Sequence, residues 1–352
     1  MTEYRNILVY AMVNLGDVVL TTSAIALLKE IYPDARITML SRPIVRDVIE
    51  RNPVIDDVIL FDYKAKQNSM GRMWAMVREL RARKFDLAIS FDRKLRPALL
   101  CLFAGIPVRV GPSRVFEDKP SRVTWLYTHT VPIAHDLENT LQAETYQEII
   151  RGFTGAQGHG RPVLPAPSTA ECAKAATILS SAGTRHKIGL CVKGTFGLKT
   201  WPKAYFAEVV RALHARYDAA FYLTGAPGDY AYAEEVIDAI GLPVENLCGK
   251  TNLMELAALY AQLDLLVTVD TGGAHIAAVT GVPMVVMFGC TSPRRWHPIS
   301  EHARAFTSNE PCCPCTYRET ECPSYPQPNC LYHVLPAVVT EACISYLEYD
   351  AE

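Results

Sequence analysis

Three turns in this chain set acids, hydroxyls, a lysine and a histidine beside glycines, each where strand-like composition gives way to helix-like composition. The most telling is Asp270-Thr271-Gly272-Gly273-Ala274-His275. It follows the Leu- and Val-rich run Leu265–Val269 and precedes Gly281-Val282-Pro283 and a second apolar run, Met284–Phe288. Glycines let a ligand approach the backbone closely, and the first N–H groups of a helix make a ready anion site. Strand, tight turn, helix and strand form a βαβ unit whose ligand crevice opens at the strand ends. Asp270, Thr271, Gly272 and His275 crowd one such turn, which favours a ligand site over incidental polar residues in an ordinary connection.

The second turn runs from Val192 to Lys203 and contains Gly194, Thr195, Gly197 and Lys199. Glycines with a hydroxyl and a lysine suit a loop that wraps phosphate oxygens, Lys199 acting as a point charge. Alone it reads equally well as a surface loop; in the same half as Asp270 and His275 it becomes a diphosphate clamp. The turn Leu223–Asp229 would line a nucleotide pocket from an adjacent strand end. The third turn, Asn14-Leu15-Gly16-Asp17, opens a helix after a buried strand. Asp17 is either an acid favoured by the positive end of the helix dipole or a general base facing an acceptor hydroxyl. The G-x-G-x-x-G pattern is absent there, which argues against a dinucleotide site.

Eleven cysteines need an explanation. Six are scattered and read as small core residues. Cys312, Cys313, Cys315, Cys322 and Cys330 cluster, and Cys312, Cys315, Cys322 and Cys330 offer four thiolates for a structural zinc or iron ion, with C-x2-C as a usual chelating pair. The later spacings match no standard zinc module, so free thiols or disulfides remain alternative readings, disulfides being disfavoured in a reducing cytosol. The unit is expected to lie away from the reacting carbon.

The elements that must position these groups alternate. Strands are expected at 7–11, 37–40, 58–61, 87–91 and 108–110. Helices are expected at 18–31, 44–51, 70–83, 97–104 (proline at its first position) and 134–152. After the Gly- and Pro-rich stretch 155–167 the alternation restarts, with helices at 169–182, 202–216, 230–240, 253–261 and 335–347 and strands at 187–192 and 219–223, ahead of the βαβ unit above. Repeated βα units with short buried strands predict an α/β architecture of two Rossmann-like doubly wound domains facing across a cleft. The expected division is one domain over 1–154, a linker over 155–167, a second domain over 168–334 with the Cys-rich segment 312–330, and a C-terminal helix over 335–352. At 352 residues there is room for two cores, and a net charge of −2 removes a global case for nucleic-acid binding. No apolar run reaches membrane-spanning length, and the first strand begins too early to leave room for a signal peptide, so a cytoplasmic protein is expected.

Taken together, Gly16-Asp17-Val18-Val19-Leu20-Thr21-Thr22, Lys199-Thr200-Trp201-Pro202, Asp270-Thr271-Gly272 with His275-Ile276-Ala277-Ala278, and Gly281-Val282-Pro283 resemble the ADP-heptose:lipopolysaccharide heptosyltransferases of glycosyltransferase family nine. The likeness runs nearly end to end and in order, with further matches at Leu28-Lys29, Tyr32-Pro33, Arg109-Val110-Gly111, and Phe288-Gly289 ahead of Thr291-Ser292-Pro293. The resemblance implies a GT-B fold, with the domain over 1–154 binding the acceptor and that over 168–334 the nucleotide sugar. It also implies an inverting transfer of heptose from ADP-heptose to an inner-core sugar of lipopolysaccharide, with no cofactor required. Asp17 matches the base that takes the acceptor proton. Lys199 matches the diphosphate lysine, with Thr195 beside it, and Asp270, Thr271, Gly272 and His275 match the turn that holds sugar and diphosphate. Ser23, Gly273 and Cys290 stand where the family often has proline. No Asp-x-Asp clamp is evident in the nucleotide half, so lysine and helix N–H groups would stabilise the leaving group.

An anionic core lipid should meet basic residues. Arg93, Lys94, Arg96, Arg109, Arg114, Lys119 and Arg122 are available, with Arg93, Arg96 and Arg114 as the acceptor-binding choices and peripheral contact with the inner membrane as the setting. Two rival functions stand beside this one: heptosyl transfer to a protein serine or threonine, and a thiol-metal regulatory protein built on the cysteines. The second leaves Asp17, Lys199 and His275 unexplained.

Overall fold

The computed structural model describes residues 3–62, 69–115, 119–133, 139–183, 185–315 and 319–349. The chain divides into two units, Met1–Ala166 and Pro167–Glu352. The first contains β1 (Asn6–Tyr10), α1 (Leu15–Ile31), β2 (Arg36–Ser41), the short α2 (Arg46–Ile49), β3 (Asp57–Leu60), α3 (Ser69–Arg83), β4 (Leu87–Ser90), α4 (Leu95–Phe103), β5 (Val108–Pro112), the two-residue strands β6 (Arg114–Val115) and β7 (Lys119–Pro120), β8 (His129–Val131) and α5 (Gln142–Thr154). Its sheet has the order β3-β2-β1-β4-β5-β8, every pair parallel. Strands buried on both faces read as continuous apolar runs, which is why β1 and β4 were legible. The order reverses between β1 and β4, where Tyr10 is in register with Leu40 on one side and Ser90 on the other.

The second unit repeats the plan: α6 (Thr169–Leu179), β9 (His186–Cys191), α7 (Lys203–Arg216), β10 (Ala219–Leu223), α8 (Tyr230–Ile240), β11 (Val244–Asn246), α9 (Leu253–Tyr260), β12 (Leu265–Val269), α10 (Gly272–Thr280), β13 (Met284–Phe288), α11 (Pro293–Trp296), β14 (Ala303–Thr307), α12 (Asn329–Tyr332) and α13 (Pro336–Tyr349). Its parallel sheet runs β11-β10-β9-β12-β13-β14 and reverses between β9 and β12. In open α/β sheets a ligand crevice forms beyond the carboxyl ends of the strands at such a reversal. Each unit has one. This is the GT-B class of α/β architecture.

Several expectations need correction. The helix expected over 134–152 begins only at Gln142, because Leu141 has extended ψ (138°) and Asn139 and Thr140 form a turn; residues 134–138 lie outside the described set. Pro97 is the third residue of α4 rather than the first, still within the turn whose N–H groups lack helical partners. The stretch expected as a linker is fixed to the first unit. Val163 N donates to Thr22 Oγ1 (2.8 Å), Asn52 Nδ2 to Val163 O (2.8 Å), and Gly160 N to Gln147 Oε1 (2.7 Å). Gly160 lies so close to α1 that a Cβ there would sit 2.0 Å from Ser23 O. The expected C-terminal helix is present as α13, and its Val339, Ala342, Cys343 and Leu347 belong to the core of the second unit. Among the described residues no helix is long and apolar enough to cross a membrane.

Candidate active site

In the second unit the candidate residues gather at the sheet reversal. β9 ends at Cys191 and leads into the loop carrying Lys199, and β12 ends at Val269 and delivers Asp270. Lys199 Nζ meets Asp270 Oδ2 at 2.7 Å, the two side chains being only 16% and 6% exposed. Thr291 Oγ1, which follows β13, donates to the same carboxylate oxygen at 2.6 Å. The loop is held from both sides. A Cβ at Gly194 would lie 2.4 Å from Lys199 Cβ, so only glycine allows that approach, and Cys290 N donates to Leu198 O. Trp201 is fully buried, stands edge-on to Phe206 at 5.0 Å and donates from Nε1 to Val334 O. The Lys199-Thr200-Trp201-Pro202 run thus joins a charged head to a core anchor. Thr195 is exposed on this loop.

Thr271 is the N-cap of α10, and Gly272 begins the helix, so the first N–H groups open at the reversal. His275, one turn in, is 4% exposed. Burial is the main cause that pulls its pKa down to about 4, against Asp270, which raises it, and with Lys199 and His297, which lower it further. The ring is therefore neutral at physiological pH, and its Nδ1 has no hydrogen-bond partner among the described residues. A buried polar atom without a partner calls for an explanation, and here it lies near a paired lysine and carboxylate. The turn after β10 is closed by its own bonds: Lys193 pairs with Asp229 at 3.0 Å, and Ala226 N donates to Asp229 Oδ2.

In the first unit Asp17 is the third residue of α1, beyond the carboxyl end of β1. Tyr146, from α5, donates its hydroxyl to Asp17 Oδ1 at 2.7 Å. Burial and the Asp17 charge push the Tyr146 pKa well above 10, so it remains a donor. Arg93 follows β4 on the other side of the reversal and interacts electrostatically with Tyr146, Asp92 and Asp17. Desolvation is the leading cause that draws its pKa below the ordinary arginine value. Sequence reasoning missed Tyr146, because nothing local couples residues 129 positions apart.

The other basic candidates disperse. Arg96 is half-buried in the first turn of α4, while Arg114, Lys119, Lys94 and Arg122 are exposed. Arg109 is structural: its guanidinium donates to Leu126 O at 3.0 Å and Ile106 O at 2.6 Å.

The cysteines depart from expectation twice. Among the described residues no three His, Cys, Asp or Glu side chains converge as ion ligands, so Cys312, Cys315, Cys322 and Cys330 are not gathered into one set. Cys330 instead meets Cys313, whose thiol is pushed up chiefly by that hydrogen bond and then by burial. Nor is the segment set apart. Cys315 N donates to Cys290 O at 2.9 Å, and the Cys290 thiol, raised to about 12 mainly by burial, feels Lys199 and Asp270. The short loop after β13 brings the segment back onto the Lys199 loop, which spacing alone did not show.

The glycosyltransferase family 9 (heptosyltransferase) pattern matches residues 73–325. A lipopolysaccharide heptosyltransferase 3 of Escherichia coli is 28% identical over 94% of this chain and 96% of its own length. Lipopolysaccharide heptosyltransferase 2 of Escherichia coli K12 is 26% identical over 82% of this chain and 84% of its own. A crystal structure of a family 9 glycosyltransferase from Veillonella parvula superposes with a TM-score of 0.85 at 23% identity, covering 99% of both chains. The structure of Escherichia coli ADP-heptose lipopolysaccharide heptosyltransferase II superposes with a TM-score of 0.79 at 23% identity, covering 99% of this chain and 100% of that one.

Proposed function

Because this glycosyltransferase belongs to glycosyltransferase family 9, we propose that it transfers heptose from ADP-heptose to an inner-core sugar of lipopolysaccharide, inverting the transferred carbon. One observation carries the donor half of the reading: the buried Lys199–Asp270–Thr291 network with the unpartnered His275 at the start of α10. A diphosphate entering there meets the Lys199 ammonium and the N–H groups of Gly272 and Gly273, the two sources of positive potential at the reversal. Asp270, freed in part from Lys199, and neutral His275 then face the sugar as acceptor and polar handle. Thr195 and Thr271 add hydroxyls to the same cradle.

Transfer begins with attack of the acceptor oxygen on the anomeric carbon, on the face opposite ADP. The carbon–oxygen bond to the β-phosphate breaks as the new one forms. Asp17 takes the acceptor proton, and the charge released onto the diphosphate falls on Lys199 and the α10 amides. Each step uses only groups of this chain. Arg93, which interacts with Asp17 at its own reversal, would pair with an anionic acceptor, with Arg96 and Arg114 as further acceptor contacts. The first unit is then the acceptor-binding domain and the second the nucleotide-sugar-binding domain. Relatives named for lipopolysaccharide support the acceptor class, and an acceptor of this kind would bring the enzyme to the inner face of the inner membrane as a peripheral protein.

The test is a donor screen with ADP-heptose, UDP-glucose and GDP-mannose against truncated core lipids, read as nucleotide release and as mass gain of the lipid. Turnover with ADP-heptose and a heptose-sized gain is the expected result. Preference for another donor would overturn the donor assignment.

A further inference from the structure

Asp17 is held by a side chain from a distant part of the fold. Tyr146 is 4% exposed, packs its ring against Phe91 at a centroid distance of 5.3 Å, and donates to Asp17 Oδ1 at 2.7 Å. Gln142, one helical turn earlier on α5 and 6% exposed, in turn hydrogen-bonds to the Tyr146 hydroxyl. The phenol is thus fixed at its ring by Phe91 and at its oxygen by Gln142, leaving its proton one direction in which to point. With Oδ1 occupied, the carboxylate has a set orientation. Among the described residues the charged groups acting on this corner include Arg93, beyond β4, and Asp92 next to it, whose Oδ1 accepts from Lys94 N.

We propose that Tyr146 is the positioning residue of the proton-accepting step: by donating to Oδ1 it orients Asp17 and holds it in the carboxylate form. This rests on Asp17 being the base. A hydrogen bond to an ionised acceptor stabilises the ion over the acid, so its removal must raise the proton affinity of Asp17. A buried tyrosine serving only the core would fill space with its ring and leave the proton affinity of a neighbouring carboxylate alone.

The experiment is the pH dependence of kcat/KM for Tyr146→Phe, with the donor and acceptor pair selected by the screen above. The acid limb should move up by about one to two pH units, the size expected for loss of a charge-assisted hydrogen bond. The plateau kcat should fall about tenfold while KM for the nucleotide sugar stays within about twofold, since the donor is bound by other residues. A folded Tyr146→Phe enzyme whose acid limb coincides with that of the wild type overturns the proposal. Should that variant fail to fold, 3-fluorotyrosine at position 146 keeps the shape and sharpens the donor, and must move the limb down; an unmoved limb again overturns the proposal. Asp17→Asn separates the two readings. If Asp17→Asn keeps its turnover, the base assignment fails and takes this inference with it. If Asp17→Asn is inactive and Tyr146→Phe leaves the limb in place, only the role of Tyr146 is lost.

Discussion

Lys199 and His275 sit in the same corner yet answer to different measurements. Lys199→Ala removes the ammonium and leaves the Asp270 carboxylate, 6% exposed, without its cation. ADP affinity should fall about 10- to 100-fold, the loss expected for a charge-assisted contact of about 1.5–3 kcal/mol. Calorimetry finding unchanged ADP affinity would contradict the clamp. His275 is a question of stability. Its pKa drops from the ordinary 6.5 to about 4 on folding, chiefly through burial. Between those values the unfolded chain binds a proton that the folded chain does not, so stability falls as pH falls through this window. The contribution is about 2 kcal/mol between pH 7 and pH 5. Denaturant unfolding of His275→Gln should therefore lose less stability over that interval than the wild type, and equal losses would count against a buried neutral histidine. Asp270 and His275 were legible because one turn carries both. The bonds of Thr291 and Tyr146 to their carboxylates were not, since each reaches across from a separate strand end or helix.

The elements were legible where burial dictates composition. β10, β12, β13 and α8 coincide with the sequence expectation because their apolar runs are bounded by glycine, proline or polar turns. The edge strands β8, β11 and β14 were missed: they are short and half-polar, and only pairing with a neighbour defines them. Without them the full strand order of each sheet was out of reach, although the strands flanking each reversal were expected. Two substitutions separate an element that supports the site from one that supports only the fold. Gly194→Ala must displace Lys199, so ADP binding should weaken several-fold even where the melting temperature changes little. Asn252 caps α9 by accepting from Met254 N and Glu255 N, and Asn252→Ala should cost about 1 kcal/mol of stability with kcat unchanged. A kcat loss in Asn252→Ala measured well below its melting temperature would mean that α9 communicates with the chemistry.

For the molecule as a whole, sequence composition marked where the periodic pattern lapses, yet the lapse is no free tether. Glycine and proline density signals only the absence of helix or strand; Thr22 and Gln147 show that such a stretch can still be bonded along its length. A fragment ending at Ala166 should accordingly melt higher than one ending at Thr154, because the shorter one exposes the α1 groove and leaves Thr22 and Asn52 without these partners. Equal melting temperatures would show that the stretch contributes nothing. The same contact sets a rule for recombination with relatives. A chimaera intended to exchange acceptor preference while retaining the donor half should be joined at Ala166–Pro167, carrying the Gly160 and Val163 segment along with the α1 surface it was fitted to. A crossover placed ten residues earlier would seat a foreign strap on a native helix, where Ser23 O tolerates nothing larger than glycine.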